Sequence, residues 1–438
     1  MRRIIAILLA LITVFSVVAC NDKTTPSTPS TPSTPKENGN DTPKDDTNIV
    51  FAEDGKSTIY IVVPEKINTG ISHGRQRLQI LLKEMIGVNV LSGTMSDCEY
   101  EIHLGQTDDT AKALYAQLGE DKFTIKTEGK KLYVVAKDDL WLYDNVEYLV
   151  EEYLSNDEYV EKAEGSFVLK KAISKTTYTD ENTIRYYLSK GGVNLKGSVA
   201  VAATASNSPS VGSDTTKIPH RRQGGCFSGT AYYQGLITDG EEYGMIMMKD
   251  LKTGETKFSE LVKSPGHIND MEYNPNTNEV LFANGKTVYV FDGTTLELKK
   301  TIQSTLSLGG HLAYDPIKDQ YIASRFTFVK SDFSGGTGKK LSEHPDYKNY
   351  NAKQGTSCDG YFLIALNAQS GAGANGGYNC HAIIYDMEGN LLGVVDVSIP
   401  EGYEPENVTI WNGDLYITGA TPKPTATLYR VRLELPTA

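Results

Sequence analysis

The sequence predicts a small α/β domain with a mixed sheet over residues 51–171, followed by an all-β propeller of five blades over residues 220–438. Three observations carry this. Hydrophobic spacing alternates between strand and helix periods up to Lys171. Past His220 it becomes short apolar runs divided by turn pairs such as Asp239-Gly240, Asn284-Gly285 and Asn412-Gly413. That second part also repeats itself: Gln223–Ile237 echoes Gln354–Leu366, and Gly266–Phe282 echoes Gly309–Ser324. A repeat of about 40–50 residues holding about four strands is the pattern of a propeller.

The chain begins with Arg2 and Arg3, an apolar run from Ile4 to Val18, and the small residue Ala19. This is the layout of a signal peptide over residues 1–19, shorter than the roughly 20 apolar residues a membrane-spanning helix needs. Val17-Val18-Ala19-Cys20 resembles the bacterial lipobox. The resemblance implies cleavage before Cys20 and lipidation of that cysteine, so the protein is expected on the extracytoplasmic face of the cell membrane, held by lipid. Residues 20–50 continue as a stalk: the TPSTPSTPSTP run and the polar residues after it hold too little apolar surface to offset ordering, and repeated Pro favours extended conformations.

The formal charge is −12, and loss of residues 1–19 with Arg2 and Arg3 makes it −14. Nucleic acid is therefore an unsuitable partner, because phosphate binding needs a basic patch and the close basic cluster here is only His220, Arg221 and Arg222. Cys98, Cys226, Cys358 and Cys380 show no metal-ligand or CxxC spacing and read as free, mostly buried thiols.

In the α/β part, Ile59–Val63 reads as a strand ended by Pro64. Gln76–Ile86 places Leu78, Leu81, Leu82 and Met85 on one helical stripe stopped by Gly87. Glu99–Leu104 is a strand, Asp109–Leu118 a helix, Phe123–Thr127 and Leu132–Ala136 a hairpin, and Leu140–Leu154 a last helix. The segments IYIVVP, LLKEMIGVNV, EYEIHLGQT and DKFTIKTEGKKLYVVAK resemble the small N-terminal domain of family 20 and family 67 glycoside hydrolases. In those enzymes the domain accompanies a catalytic barrel. No βα alternation follows here, so the resemblance implies a scaffold or glycan association and no active site. A generic α/β domain fits the pattern as well.

Residues 172–219 read as a connector, with Ser198–Ala202 a possible closing strand for the ring. Blades are expected to start near His220, Lys263, Thr305, Asn351 and Glu401. The blade starts also resemble a group of uncharacterised Firmicutes propeller proteins, which implies no activity. Aligned on Phe227, Tyr273, Tyr314, Cys358 and Trp411, the positions four upstream are Gln223, Asn269, Gly310, Gln354 and Asn407. Three upstream stand Gly224, Asp270, His311, Gly355 and Val408. Inner strands of a propeller line its channel, so these residues are expected as a ring rich in carboxamides, suited to hydroxyl-bearing ligands or to ordered water.

The expected ligand-binding set is Arg222, Gln223, His267, Asn269, Asp270, His311, Gln354 and Asn407, with Asp270 and His311 at the centre and His267 and Arg222 near the rim. The leading expectation is a non-catalytic binding lipoprotein whose channel mouth takes a glycan, cell-wall polymer or protein. The alternatives are a glycan hydrolase or lyase using Asp270, His311 and Glu406, and a structural adhesion module. Hydrolysis needs paired carboxylates, and Glu406 is the nearest partner the sequence offers Asp270. No metal site or cofactor is called for; Asp270 with carboxamide oxygens would suit calcium, but the spacing is not diagnostic. Motifs for serine, zinc or P-loop chemistry do not occur.

Overall fold

The computed structural model describes residues 48–191, 194–204, 219–323, 326–339, 341, 354–370, 378–420 and 427–434. The expected signal peptide, Cys20, and the stalk up to residue 47 lie outside the described residues, as do His344 and most of the glycine-rich run 370–378. The described chain is mostly β-structure, built from several antiparallel sheets in a propeller-like arrangement.

A six-stranded mixed sheet occupies the N-terminal part. Leu91–Gly93, Ile59–Val62, Tyr100–Leu104 and Lys131–Ala136 run parallel, and Lys122–Glu128 and Ser174–Tyr178 extend the sheet antiparallel. Ser174–Tyr178, within the expected connector, thus supplies an edge strand. Four helices accompany the sheet: α1 (Thr69–Ile86), α2 (Asp109–Gln117), α3 (Leu142–Leu149) and α4 (Ile184–Ser189). Helix α1 starts seven residues before the expected Gln76. Asn68 caps it, its Oδ1 accepting from Ile71 N at 2.9 Å, and the turn added contains Gly70 and Gly74. A helical glycine costs about 0.5–1 kcal/mol against alanine. Here it is required by close approach, since a Cβ on Gly70 would lie 2.3 Å from the backbone of Asp139 and one on Gly74 2.7 Å from Leu142 Cβ. The expected final helix Leu140–Leu154 divides into a 3-10 turn at Asp139–Trp141, α3, and a π turn at Val150–Leu154. Ile49–Glu53, Lys56–Ser57, Val160–Ala163 and Ser166–Leu169 form a further small sheet that the sequence reading did not anticipate.

Beyond residue 219 the first strands are Arg221–Phe227, Met271–Asn274, Leu312–Asp315, Thr356–Cys358 and Glu404–Trp411. Each begins an antiparallel meander, and each contacts the next; Glu404–Trp411 contacts Arg221–Phe227 in turn, so the contacts close on themselves. We call these the inner strands, numbered first to fifth. The strand Asn194–Thr204 pairs antiparallel with Thr427–Glu434 and parallel with Leu391–Ser398. It thereby joins the last two meanders into one eight-stranded sheet. Apolar clusters fill the spaces between successive sheets, for example Ile268, Met271 and Phe282 with Tyr233 and Ile246. Cys226, Cys358 and Cys380 are buried free thiols, and Cys98 is half-buried.

Candidate functional site

The inner strands have two dissimilar ends. At their C-terminal ends Phe227, Tyr273, Tyr314, Cys358 and Trp411, the five residues that align the repeats, all line one cavity of about 110 Å³. Helices α1 and α3 cover it, contributing Arg77, Leu81, Glu84, Tyr143 and Glu147. Contacts with the helices are polar as well as apolar. The His73 ring stacks on Tyr361 with centroids 3.3 Å apart, Tyr361 donates to Gln76 Oε1, and Lys83 Nζ donates to Asn276 Oδ1 at 3.1 Å. Arg185 of α4 lies 3.5 Å over the Tyr143 ring, donates to Asp359 at 2.8 Å, and meets Asp144 at 3.5 Å. Arg77 pairs with Glu147 at 2.7 Å. Burial pushes Glu147 up to about 7 against the pull of Arg77, and drives His73 down to about 4.

At the opposite, N-terminal ends lie the residues the repeat alignment singled out. Two glycines there are required by close approach. A Cβ on Gly224 would stand 2.3 Å from the Asn269 carbonyl oxygen, and one on Gly355 1.7 Å from Asn407 Oδ1. The spacing repeats in the backbone: Gly224 N donates to Ile268 O at 2.9 Å, and Gly355 N to Glu406 O at 3.0 Å, the same register relation in two pairs of neighbouring inner strands. The first and fifth inner strands each carry a one-residue bulge here, between Arg222 and Gly225 and between Pro405 and Asn407. Bulges bend a strand and re-aim its side chains.

Asp270 is fully buried. Its Oδ2 accepts from Leu312 N at 3.0 Å, from Thr356 N at 2.8 Å and from Thr356 Oγ1 at 2.8 Å. One carboxyl therefore ties the second inner strand to the third and the fourth. Burial raises its pKa well above the ordinary carboxylate range, and the three donors pull against that shift. Asp270, expected at the centre of the site, is sealed from solvent: its Oδ2 joins strands, while its Oδ1 has no partner among the described residues. Arg222, expected near the rim, is also buried, and Nη1 donates to Gln234 Oε1 at 3.1 Å and meets Met247 Sδ at 3.6 Å. The sheet's own second and third strands surround it.

Gln223 and Asn407 are fully buried. Gln223 Nε2 donates to Arg222 O at 2.8 Å and approaches Glu406 Oε1 at 3.5 Å, while Asn407 Nδ2 donates to Gly225 O at 2.9 Å. Asn269, His311, Gln354 and His267 remain partly exposed. His267 bridges two acids, with Nδ1 2.8 Å from Glu241 and Nε2 3.8 Å from Glu406. Glu406, and then Glu241, hold its imidazolium above the usual histidine range. Burial raises Glu406, which His267 partly offsets, and burial lowers His311. His311 is next to Leu312, whose N–H Asp270 accepts, but the His311 Nδ1 has no partner among the described residues. The same holds for Gln223 Oε1, Asn269 Oδ1, Asp270 Oδ1 and Asn407 Oδ1.

Glu241 and Glu272 were missed from sequence. Glu241 belongs to the turn after Asp239-Gly240 and reaches His267 across sheets, a contact without a linear signal. Glu272 follows Asp270 by two, in the strand that begins at Met271, and lines the covered cavity; burial raises it well above the ordinary range, and its Oε1 has no partner among the described residues. Its place two residues from Asp270 was the available signal, since alternate strand residues share a face. Among the described residues no cluster of three or more His, Cys, Asp or Glu side chains is arranged to hold a metal ion.

The fold and this polar end define a β-rich, propeller-like protein with one helix-covered end. No protein-family model matches the chain, and no curated protein matches it. Among solved structures it is similar to a chain in a nidogen/laminin complex, with 15% identity, covering 50% of this chain and 88% of that one, at a TM-score of 0.31. It is also similar to a DUF4221 family member from Bacteroides vulgatus, with 8% identity, covering 55% of this chain and 99% of that one, at a TM-score of 0.33.

Proposed function

We propose that this chain is an extracytoplasmic binding lipoprotein. Cys20 carries the lipid and residues 20–50 form the stalk. The N-terminal part is an α/β scaffold of the kind that accompanies glycoside hydrolases, and a five-bladed propeller takes a glycan or cell-wall polymer at its mouth. The observation that carries the reading is the set of buried polar atoms without partners at the N-terminal ends of four inner strands: Gln223 Oε1, Asn269 Oδ1, Asp270 Oδ1, His311 Nδ1 and Asn407 Oδ1. A buried polar atom without a partner costs about 1–3 kcal/mol, and hydroxyl donors from a ligand or bound water relieve that cost. Helices α1 and α3 occupy the other end, which leaves the mouth as the approach to these atoms.

The test is a glycan and wall-fragment array with the wild type, Asn269→Ala and His311→Gln, both partly exposed positions. Retention by the wild type and loss in the variants supports the reading; no retention of any glycan or wall fragment by the wild type overturns it. Membrane attachment is tested separately by palmitate labelling, which Cys20→Ser abolishes if the anchor is as proposed.

A hydrolytic reading rests on Glu406 and not on Asp270. Glu406 is a buried acid whose pKa burial raises, as a general acid requires, against the pull of His267 3.8 Å away. Release of reducing ends by the wild type and its loss in Glu406→Gln would favour that reading.

A further inference from the structure

We propose a second saccharide site, independent of the mouth, in the cleft where α3 meets the turn after the fifth inner strand. The cleft measures about 340 Å³, within the roughly 300–1,000 Å³ range of small-molecule sites, and is lined by Asp144, Asn145, Glu147, Tyr148, Tyr178 and Trp411 among others. Four of its buried polar atoms have no partner among the described residues: Asp144 Oδ2, Glu147 Oε2, Asn145 Nδ2 and Arg430 Nε. Asp144, Asn145 and Glu147 are 8%, 2% and 4% exposed, and all three line the cleft.

The kinds of atom decide the ligand class. Two are carboxylate oxygens and two are N–H donors. A metal ion or an amine leaves Asn145 and Arg430 unsatisfied, and a phosphate or sulfate is repelled by the two acids. A hydroxyl both donates and accepts, so neighbouring hydroxyls on one ring satisfy all four. Acids outnumber cations here: Asp144, Glu147, Glu151, Asp180 and Asp414 line the cleft with Arg430, and behind them Arg77 meets Glu147 at 2.7 Å and Arg185 is shared between Asp144 at 3.5 Å and Asp359 at 2.8 Å, which disfavours an anion. Aromatic walls complete the chemistry. Tyr178 is 66% exposed with Lys122 over one face at 4.7 Å, and Tyr148 and Trp411 are half-buried beside the acids. Such surfaces suit the apolar faces of a pyranose. Asp144, at about 6, and Glu147, at about 7, exchange protons near neutrality, so each can act as acceptor or donor toward a hydroxyl.

Trp411 is one of two tryptophans, the other being Trp141, and so reports on the cleft. The experiment titrates the full chain with neutral tetrasaccharides of glucose, xylose and N-acetylglucosamine, following tryptophan emission and heat. The Trp141→Phe variant isolates the Trp411 signal, and calorimetry on the unaltered chain covers the case in which that variant fails to fold. A saturable signal is expected with at least one tetrasaccharide. Tyr178→Ala, at an exposed position, and Asn145→Leu should each weaken the Trp411 signal at least tenfold at unchanged melting temperature, while Met95→Ala, at an exposed position that lines neither the cleft nor the covered cavity, leaves it unchanged. Absence of saturable binding by any tetrasaccharide overturns the proposal, and so does wild-type affinity in both cleft variants. Tighter binding of spermidine or sulfate than of any sugar also overturns it. Loss in His267→Gln alone assigns the binding to the mouth and rejects the cleft.

Discussion

The two ends of the inner strands lie about four residues apart, roughly 13 Å at strand rise, yet they handle polar groups differently. At the covered end, helices bring cations to acids: Arg185 to Asp359 and Asp144, and Arg77 to Glu147. At the mouth, amides and a histidine keep atoms without partners, and the buried carboxyl of Asp270 joins backbones of neighbouring strands. Where helices close an end, their arginines pair buried acids, because an unpaired buried charge is costly, although Glu272 in the same cavity keeps Oε1 without a partner among the described residues. An end left open can keep hydrogen-bonding capacity for something else.

Three measurements test this contrast. The largest effect is expected at the covered end. Arg185→Met leaves Asp359 and Asp144 buried without their cation and should cost about 3–5 kcal/mol in urea unfolding. A cost below about 1 kcal/mol would show that ion pairing does not hold the covered end. Next come the mouth glycines. Gly224→Ala meets the Asn269 carbonyl, which cannot swing away, and should cost about 1–3 kcal/mol. Gly355→Ala meets Asn407 from Oδ1 at 1.7 Å back to Cβ at 2.8 Å, which rotation of the side chain does not move, so it should cost a similar amount and also break the bond to Gly225 O. Losses below about 0.5 kcal/mol at both glycines in thermal melts would contradict the packing described for the mouth.

The smallest effect separates two histidines by pH. His73, lowered from 6.5 to about 4 by burial, contributes stability that is complete above pH 6.5 and is lost as pH falls toward about 4. His267, raised by Glu406 and Glu241, contributes stability present below 6.5 and lost as pH rises through its folded value. Imidazole titration by NMR should place the two on opposite sides of 6.5, and titration of both on one side would erase the electrostatic distinction between the ends.

Sequence reasoning reached the inner strands well because repetition marks them. Phe227, Tyr273, Tyr314, Cys358 and Trp411 align by pattern alone and converge on one cavity. It did not reach what covers that cavity. Arg77 and Glu84 look like the solvent face of an amphipathic helix, and their partners are set by tertiary packing, not by helical spacing. The start of α1 was hidden because Gly70 and Gly74 read as loop until the Asp139 and Leu142 backbones are seen against them. At the candidate site the ring positions were legible, but how far each side chain is sealed was not. Asp270 and Arg222 show why: alternation assigns a face, whereas bulges and neighbouring strands decide exposure. The cleft acids Asp144 and Glu147 escaped notice because their spacing on α3 belongs equally to an ordinary helix.

The strand Asn194–Thr204 also bears on how the molecule is made. It precedes every inner strand in the chain, yet it pairs Lys196 with Glu434 near the far end of the described residues. During synthesis its edge must wait, unpaired, until nearly all of the propeller-like part has emerged. A waiting edge is open to wrong partners. Folding of this half is therefore expected to be slow, governed by contacts distant in sequence, and helped by factors that shield exposed strands until the last one arrives.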